Sequence, residues 1–350
     1  MPLQVLEEIQ RDLLALPGVG MSVLEISHRS KPYEAIQAQA DADMRRLADI
    51  PSNYRILFLQ GGASLQFSMV PMNLLSAGQV ADYIDTGYFS DKAIKEAKKV
   101  GTVNVAASTK GEKYVRLPQQ SELKLTRDAA YVHMTSNNTI EGTESRTLPE
   151  VGDAPLVSDT SSHMFSGPID VARHGLIYAG AQKNLGPAGL TIVIVREDLL
   201  QRSMEKKSAL ATMLNYAVYA EERSLYNTPP SFAVYALGLV MKWLIAQGGL
   251  PAIARINQRK AAKLYAEIDR TGFFAGNAQK EFRSLMNVTF RLKTEELDSL
   301  FVKEATAAGL DGLKGHRSAG GVRASIYNAF PEEGVDALVA FMREFERTHG

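Results

Sequence analysis

Short apolar runs alternate with helical patterns through the larger, N-terminal part of the chain. These runs predict buried strands at residues 55–59, 80–84, 129–133, 156–159, 176–179 and 190–195. Helical segments separate most of the predicted strands, which is typical of a sheet whose strands run mainly parallel. The pattern therefore predicts an α/β domain in which helices flank the sheet.

The pattern changes after an apolar helix at residues 232–246, which the pair Gly248-Gly249 ends. Further on, residues 286–292 alternate between apolar and polar positions, as a half-exposed antiparallel strand does. The remaining helical patterns lie at residues 251–269, 297–308 and 334–347. We therefore predict a large domain over residues 1–248 and a smaller α+β domain over residues 249–350.

The first residues of the chain also follow a helical pattern, which Pro17-Gly18 ends. We expect this N-terminal helix to pack on the small domain. It carries Glu7, Glu8 and Asp12 and lacks the basic, apolar layout of a signal peptide, so we expect a cytoplasmic protein.

Composition narrows the class of protein. The chain has 39 basic and 39 acidic residues, and this balance argues against nucleic-acid or anionic-membrane partners while leaving small anionic substrates open. It contains 0 cysteines, which excludes disulfides, thiolate metal sites and cysteine nucleophiles. No metal site is predicted, and no apolar run approaches the length of a membrane span.

The main candidates for catalysis are an acid and a lysine at the ends of two predicted strands. Asp159 ends the strand at 156–159, and Lys183 follows the strand at 176–179, 183 − 159 = 24 residues later. That gap accommodates a crossover that puts both strand ends at one edge of the sheet. Pyridoxal phosphate needs such a pair, a lysine for the Schiff base and an acid beside the pyridinium nitrogen. Taken alone, Asp159 could also be a helix cap, and Lys183 a surface residue.

A glycine-rich turn, residues 60–64 with the sequence QGGAS, joins a predicted strand to a helix. Glycines let backbone N–H groups approach a phosphate, and the helix N-terminus favours negative charge. We interpret the turn, with Ala63 and Ser64, as a phosphate cradle; alone it would be an ordinary turn. It matches neither a Walker A motif nor a dinucleotide fingerprint.

Three segments resemble phosphoserine aminotransferases. They are residues 158–159 (SD), 180–184 (GAQKN) and 323–329 (RASIYNA), and the resemblance runs nearly end to end. It implies a fold-type-I pyridoxal phosphate transferase of class V, with a seven-stranded, mainly parallel sheet in the large domain. It also implies a homodimer with shared active sites.

The resemblance assigns cofactor contacts to individual residues. Lys183 becomes the catalytic lysine, with Gln182 beside it, and Thr139 hydrogen-bonds the ring hydroxyl. Phe89 stacks on the ring, although family members usually have tryptophan there, so the indole N–H is missing. Without the resemblance, Thr139 is a plain loop residue and Phe89 a core residue.

Residues Asn227 and Thr228 match a pair that reaches the partner's cofactor phosphate; by pattern alone they begin a helix. The resemblance also implies that five basic residues bind the two acidic groups of the substrate: His28, Arg29, His316, Arg317 and Arg323. In the family, the pair at 316–317 comes from the neighbouring subunit. A lone His-Arg pair is more often a surface feature.

The implied reaction is reversible transamination between glutamate and 3-phosphohydroxypyruvate, giving phosphoserine and 2-oxoglutarate in serine biosynthesis. A related phosphorylated keto acid of vitamin B6 synthesis stays open as a second substrate. The alternatives are an alanine–glyoxylate type aminotransferase and a non-catalytic binding module. One departure is that the chain starts at Met1-Pro2-Leu3, whereas relatives carry a Phe-Ser-Ala-Gly-Pro segment near the active site before this point; the difference reflects either a misassigned start or a pocket without that segment.

Overall fold

The computed structural model describes residues 1–350. The chain has twelve β-strands: β1 (Tyr54–Leu59), β2 (Val80–Asp85), β3 (Thr102–Ser108), β4 (Val132–Thr135), β5 (Asn137–Asn138), β6 (Thr143–Glu144), β7 (Leu156–Asp159), β8 (Leu176–Gly180), β9 (Thr191–Arg196), β10 (Ala275–Gly276), β11 (Asn287–Arg291) and β12 (Val322–Ser325). Seven of them form the sheet at the centre of the larger domain, in the order β1-β9-β8-β7-β4-β2-β3. The seven strands and their order confirm the predicted α/β class.

Strands β3, β2, β4, β7 and β8 run parallel to one another, and β9 runs antiparallel to both of its neighbours, β8 and β1. The carboxyl ends of β4, β7 and β8 therefore meet at one edge of the sheet. Loops at such an edge are where open α/β sheets bind ligands.

Ten α-helices surround the three sheets. They are α1 (Leu3–Asp12), α2 (Lys31–Ala48), α3 (Gly62–Leu74), α4 (Tyr88–Ala97), α5 (Glu197–Glu205), α6 (Tyr216–Glu221), α7 (Ser231–Ala246), α8 (Gly249–Ile268), α9 (Glu295–Ala307) and α10 (Glu332–His349). None of them is by itself long and apolar enough to cross a membrane; α7 and α8 reach that length only as a pair, which is bent by 82°.

Two large apolar clusters cover the two faces of the main sheet, and a third lies in the C-terminal part between α8, α9, α10 and the sheet β10-β11-β12. Helix α8 joins two of these cores, because Leu250 and Ile253 pack with the first cluster whereas Ala261 and Leu264 pack with the third. The predicted boundary near Gly248 falls just before this shared helix.

Helix α1 packs on α7 in the first cluster. Val5 and Ile9 are buried there, and the Tyr235 hydroxyl donates a hydrogen bond to Asp12 Oδ2 at 2.5 Å. No α1 residue belongs to the C-terminal cluster. The apolar stripe of α1 is thus covered by a helix of the first core, and its packing on the small domain stays a prediction.

Candidate active site

The predicted acid and lysine lie at the same edge of the sheet. Asp159 is the last residue of β7, and Lys183 comes three residues after β8 ends at Gly180. In the parallel pairing of these strands, Asp159 is opposite Tyr178. The Lys183 ammonium donates a hydrogen bond to Thr139 Oγ1 at 2.8 Å, which brings the predicted Thr139 loop to the same point.

Burial decides the protonation of Lys183. It lowers the pKa of this lysine to about 8; Asp159 opposes the shift and Arg323 adds to it. A lysine with that pKa has a substantial neutral fraction near pH 7–8, where an ordinary lysine with a pKa of about 10.4 has almost none. The amine is thus prepared both to attack a carbonyl and to move a proton.

Asp159 is buried as well, and burial raises its pKa. Hydrogen bonds from Ser161, whose N–H donates to Oδ1 at 2.9 Å, and the positive charge of Lys183 act in the opposite direction. Because desolvation outweighs these contributions, the carboxylate would be stabilised by one more cationic partner. A protonated ring nitrogen would supply that charge.

The glycine-rich turn forms an open helix N-terminus. Gly61 has φ +89° and Gly62 has φ +64°, a left-handed conformation that favours glycine, and α3 starts directly at Gly62. No acidic residue lies in the first turn of α3, and a Cβ on Gly62 would meet nothing within 4 Å. The N-terminus of α3, with Ala63 and Ser64 in its first turn, therefore has open space beside Gly62, and a helix N-terminus favours an anion such as a phosphate.

An aromatic wall faces the lysine. The centroid of the Phe89 ring lies 5.4 Å from Lys183 Nζ, and the ring is half-buried at the start of α4. Next to the lysine, the Gln182 side chain is largely exposed and folds back on Gly180, where a Cβ would lie 2.6 Å from Gln182 Oε1. A side chain at position 180 would therefore displace the Gln182 amide from this position.

Three of the five predicted basic residues lie near one another, and one of them, Arg323, acts on the lysine. Arg323 lies on β12 opposite Thr289, and its positive charge acts on both Lys183 and His316. The ring centroids of His316 and Tyr88 are 5.0 Å apart. Arg317 lies beside the Tyr88 hydroxyl, where it contributes to lowering the pKa of that group.

Within the single chain, residues 316 and 317 lie beside Tyr88, and their supply by a neighbouring subunit stays a prediction. The loop after Lys314 folds back along β12, and the Gly315 N–H donates to the Gly321 carbonyl at 2.9 Å. The hairpin-like loop therefore carries His316 to Tyr88 of its own chain.

The other predicted pairs lie outside this cluster. His28 and Arg29 precede α2, and the Arg29 Nε–H donates to His28 Nε2 at 3.3 Å. Asn227 and Thr228 precede α7, and the Gln60 amide donates to the Thr228 carbonyl at 3.4 Å, next to the glycine-rich turn. The single chain thus connects Thr228 to the cradle but shows no contact of His28 or Arg29 with Lys183.

The chain is similar to known aminotransferases in sequence and fold. The chain matches the model of class-V aminotransferases over residues 1–338. Phosphoserine aminotransferases from Desulfosudis oleivorans and Pseudomonas aeruginosa (strain LESB58) are 54% and 55% identical to it, over 100% of this chain and 96% of each relative. A solved phosphoserine aminotransferase from Bacillus circulans subsp. alkalophilus superposes with a TM-score of 0.97 at 49% identity, covering 100% of this chain and 96% of the other.

The chain belongs to the phosphoserine aminotransferase family of class V. This membership confirms the predicted family, the fold-type-I architecture and the enzyme class, a pyridoxal phosphate-dependent aminotransferase. One solved member, from Trichomonas vaginalis, has pyridoxal phosphate bound, at 39% identity and a TM-score of 0.93.

The residues of this family member fit the cofactor on structural grounds. Nearby positive charge does not fully offset the burial of the Asp159 carboxylate, so a protonated ring nitrogen would stabilise it. The open N-terminus of α3 could bind the phosphate, and Lys183 could bond to the carbonyl carbon. Phe89 and Thr139 flank the space between them.

Sequence reasoning missed Glu141, a buried acid behind this site. Its Oε1 accepts the Tyr88 N–H at 2.8 Å, at the start of α4, and its backbone carbonyl accepts Thr289 Oγ1 at 2.9 Å. Burial raises the pKa of Glu141 to about 7. Only its position two residues after Thr139 offered a signal, because an acid in a turn-rich loop has no distinctive pattern.

Proposed function

We propose that this chain transfers the amino group of glutamate to 3-phosphohydroxypyruvate, giving 2-oxoglutarate and phosphoserine, and that it also runs the reverse reaction. The observation that carries the proposal is a cluster of one histidine and two arginines, His316, Arg317 and Arg323, of which Arg323 acts on Lys183. Neither arginine has a carboxylate partner within the chain, and Arg323 Nε is buried without a hydrogen-bond acceptor. A substrate with two separated anionic groups would satisfy them.

The buried residues divide the chemistry between them. When bound, the cofactor supplies an electron sink for the electron pair left at the substrate Cα. Lys183 removes the proton from that carbon and, in the opposite half-reaction, returns one. Thr139 holds Nζ in place through their hydrogen bond, and Asp159 keeps a positive charge on the ring nitrogen.

The cations orient the substrate. Arg323 lies close enough to Lys183 to lower its pKa, so it is the residue placed to bind the carboxylate next to the reacting Cα. Arg317 lies beyond it, beside Tyr88, and is placed for the distal phosphate. Forked hydrogen bonds from a guanidinium match both groups.

The alternative, an alanine–glyoxylate type reaction, needs only the first of these anion contacts. A substrate panel separates the two possibilities: phosphoserine, alanine and serine as donors with 2-oxoglutarate as acceptor. The same panel, run with the phosphorylated threonine-like keto acid, tests the vitamin B6 substrate. Efficient turnover of alanine without use of phosphoserine would reject the proposal.

Two arginine variants test the division of roles. A charge-assisted hydrogen bond contributes about 1.5–3 kcal/mol, so each alanine replacement is expected to lower kcat/KM for phosphoserine roughly 10- to 150-fold. Arg323→Ala is expected to lower kcat/KM for glutamate as well, because every amino acid presents the α-carboxylate. Arg317→Ala is expected to affect phosphoserine more than glutamate. Equal losses on both substrates would count against the phosphate contact.

We further propose a homodimer in which Asn227 and Thr228 reach the partner's cofactor phosphate. Asn227 Oδ1 is buried without a hydrogen-bond partner in the single chain, which supports a contact beyond it. The anion would then be enclosed by two chains, the α3 N-terminus of one and this loop of the other.

Mixing inactive subunits tests this arrangement. Lys183→Ala subunits mixed with Asn227→Ala subunits are expected to regain activity, because half of the mixed sites in heterodimers contain neither substitution. Lys183→Ala mixed with Arg317→Ala is expected to regain none, because the structure places Arg317 beside Tyr88 of its own chain. Activity of each mixture is measured against its separate components; recovery in the second mixture would show that Arg317 acts across the dimer.

A further inference from the structure

Tyr88, on the first turn of α4, lies between Phe89 and the loop that carries His316 and Arg317, and we call its ring the platform. Its ring centroid lies 5.4 Å from that of Phe89, nearly perpendicular at 83°, and 5.0 Å from that of His316. Lys92 is four residues later on the same helix face, and its Nζ lies 4.8 Å from the Tyr88 ring centroid. The platform thus holds the Lys92 ammonium close to the loop that carries Arg317.

The charges around this platform are positive. Lys92 and then Arg317 act to lower the pKa of the Tyr88 hydroxyl. Burial lowers the pKa of His316, and nearby cations lower it further. Those cations, in order of effect, are Arg323, Arg317 and Lys92. Four cationic or protonatable side chains therefore share one short stretch of surface beside the site.

Other lysines close to this surface are neutralised. Asp91 pairs with Lys95 at 2.5 Å and with Lys110 at 3.5 Å. The adjacent Lys92 points to the Tyr88 ring instead and has no carboxylate partner within 4.0 Å. Its charge is therefore available to an anion from solution.

We propose that Lys92 and the Tyr88 hydroxyl extend the anion contact of His316 and Arg317, which makes Lys92 a specificity-determining residue that favours a phosphate over a carboxylate. The proposal rests on the proposed function, since it concerns the distal group of the same substrate. The Coulomb gain scales with the product of the charges, so an added cation favours a dianionic phosphate about twice as much as a monoanionic carboxylate. Neither residue was a candidate by sequence pattern.

A purely structural role makes a different prediction. If Lys92 only stabilises α4 through its contact with the Tyr88 ring, its replacement would lower the thermal midpoint and leave the preference between substrates unchanged. The substrate preference and the midpoint therefore separate the two explanations.

The test compares Lys92→Met with wild-type holoenzyme, because methionine keeps most of the aliphatic stem and removes the charge. KM for phosphoserine is expected to rise about 10-fold, the factor that corresponds to about 1.4 kcal/mol, and KM for glutamate by no more than about 3-fold. Lys92→Arg is expected to restore most of the preference. The matched control is Lys95→Met, because Lys95 lies on the same helix but already pairs with Asp91.

Inorganic phosphate provides a second measurement that does not depend on phosphoserine turnover. Its inhibition constant against glutamate is expected to rise in Lys92→Met and to stay at the wild-type value in Lys95→Met. If the wild type fails to use phosphoserine, the proposed function is wrong, and phosphate inhibition still tests Lys92. The inference would be overturned if Lys92→Met had the same KM for phosphoserine and the same inhibition constant for phosphate as the wild type.

Discussion

Lys183→Ala is expected to lose transamination by at least about 10³-fold while remaining folded, because in the proposed mechanism the lysine both carries the cofactor and moves the proton. Its ammonium makes one hydrogen bond, to Thr139, so its removal breaks little of the packing. The measurements are kcat for the glutamate half-reaction and the thermal unfolding midpoint. Borohydride reduction of wild-type holoenzyme, followed by peptide mass spectrometry, is expected to place the cofactor on Lys183.

A structural lysine provides the control. Lys206 is half-buried and donates hydrogen bonds to the backbone carbonyls of Met72 and Leu75, away from the site. Lys206→Ala is expected to lower the unfolding midpoint and keep kcat. Near-normal turnover in Lys183→Ala, or cofactor fixed to another lysine, would refute the assignment of the catalytic residue.

Asp159→Asn is expected to bind the cofactor and to lose about 10²-fold or more in kcat, comparable to removal of one preorganised electrostatic partner. The amide has the shape of the carboxylate, and its oxygen still accepts the Ser161 N–H. It lacks the negative charge that keeps the ring nitrogen protonated, so the electron sink weakens.

The cofactor dissociation constant and kcat must be measured together on this variant. Loss of kcat with retained cofactor supports the electrostatic role, and Asp159→Glu, which keeps the charge but shifts it, is expected to retain more activity than Asp159→Asn. A variant as active as wild type would mean that Asp159 serves only as a cap for the turn at Ser161.

Much of the large domain was predictable from the sequence, because its signals are local. Buried parallel strands are continuous apolar runs, and each predicted run became a strand with ends displaced by a few residues. The edge strand β3 was missed, since many of its side chains are exposed and it lacks such a run. Helix α2, which begins at Lys31 directly before Pro32, was missed as well.

The sequence by itself also placed Asp159 and Lys183 at one edge of the sheet, because both follow strands that a short crossover must bring together. Only the tertiary structure decided which cations meet them. Residues 316–323 are far from Lys183 along the chain, and their position depends on how β12 pairs with β11 and how the two cores share α8. Such contacts depend on packing between distant segments, and no spacing within one segment encodes them. The sequence therefore identified Arg317 as basic, and the fold placed it beside Tyr88 of its own chain.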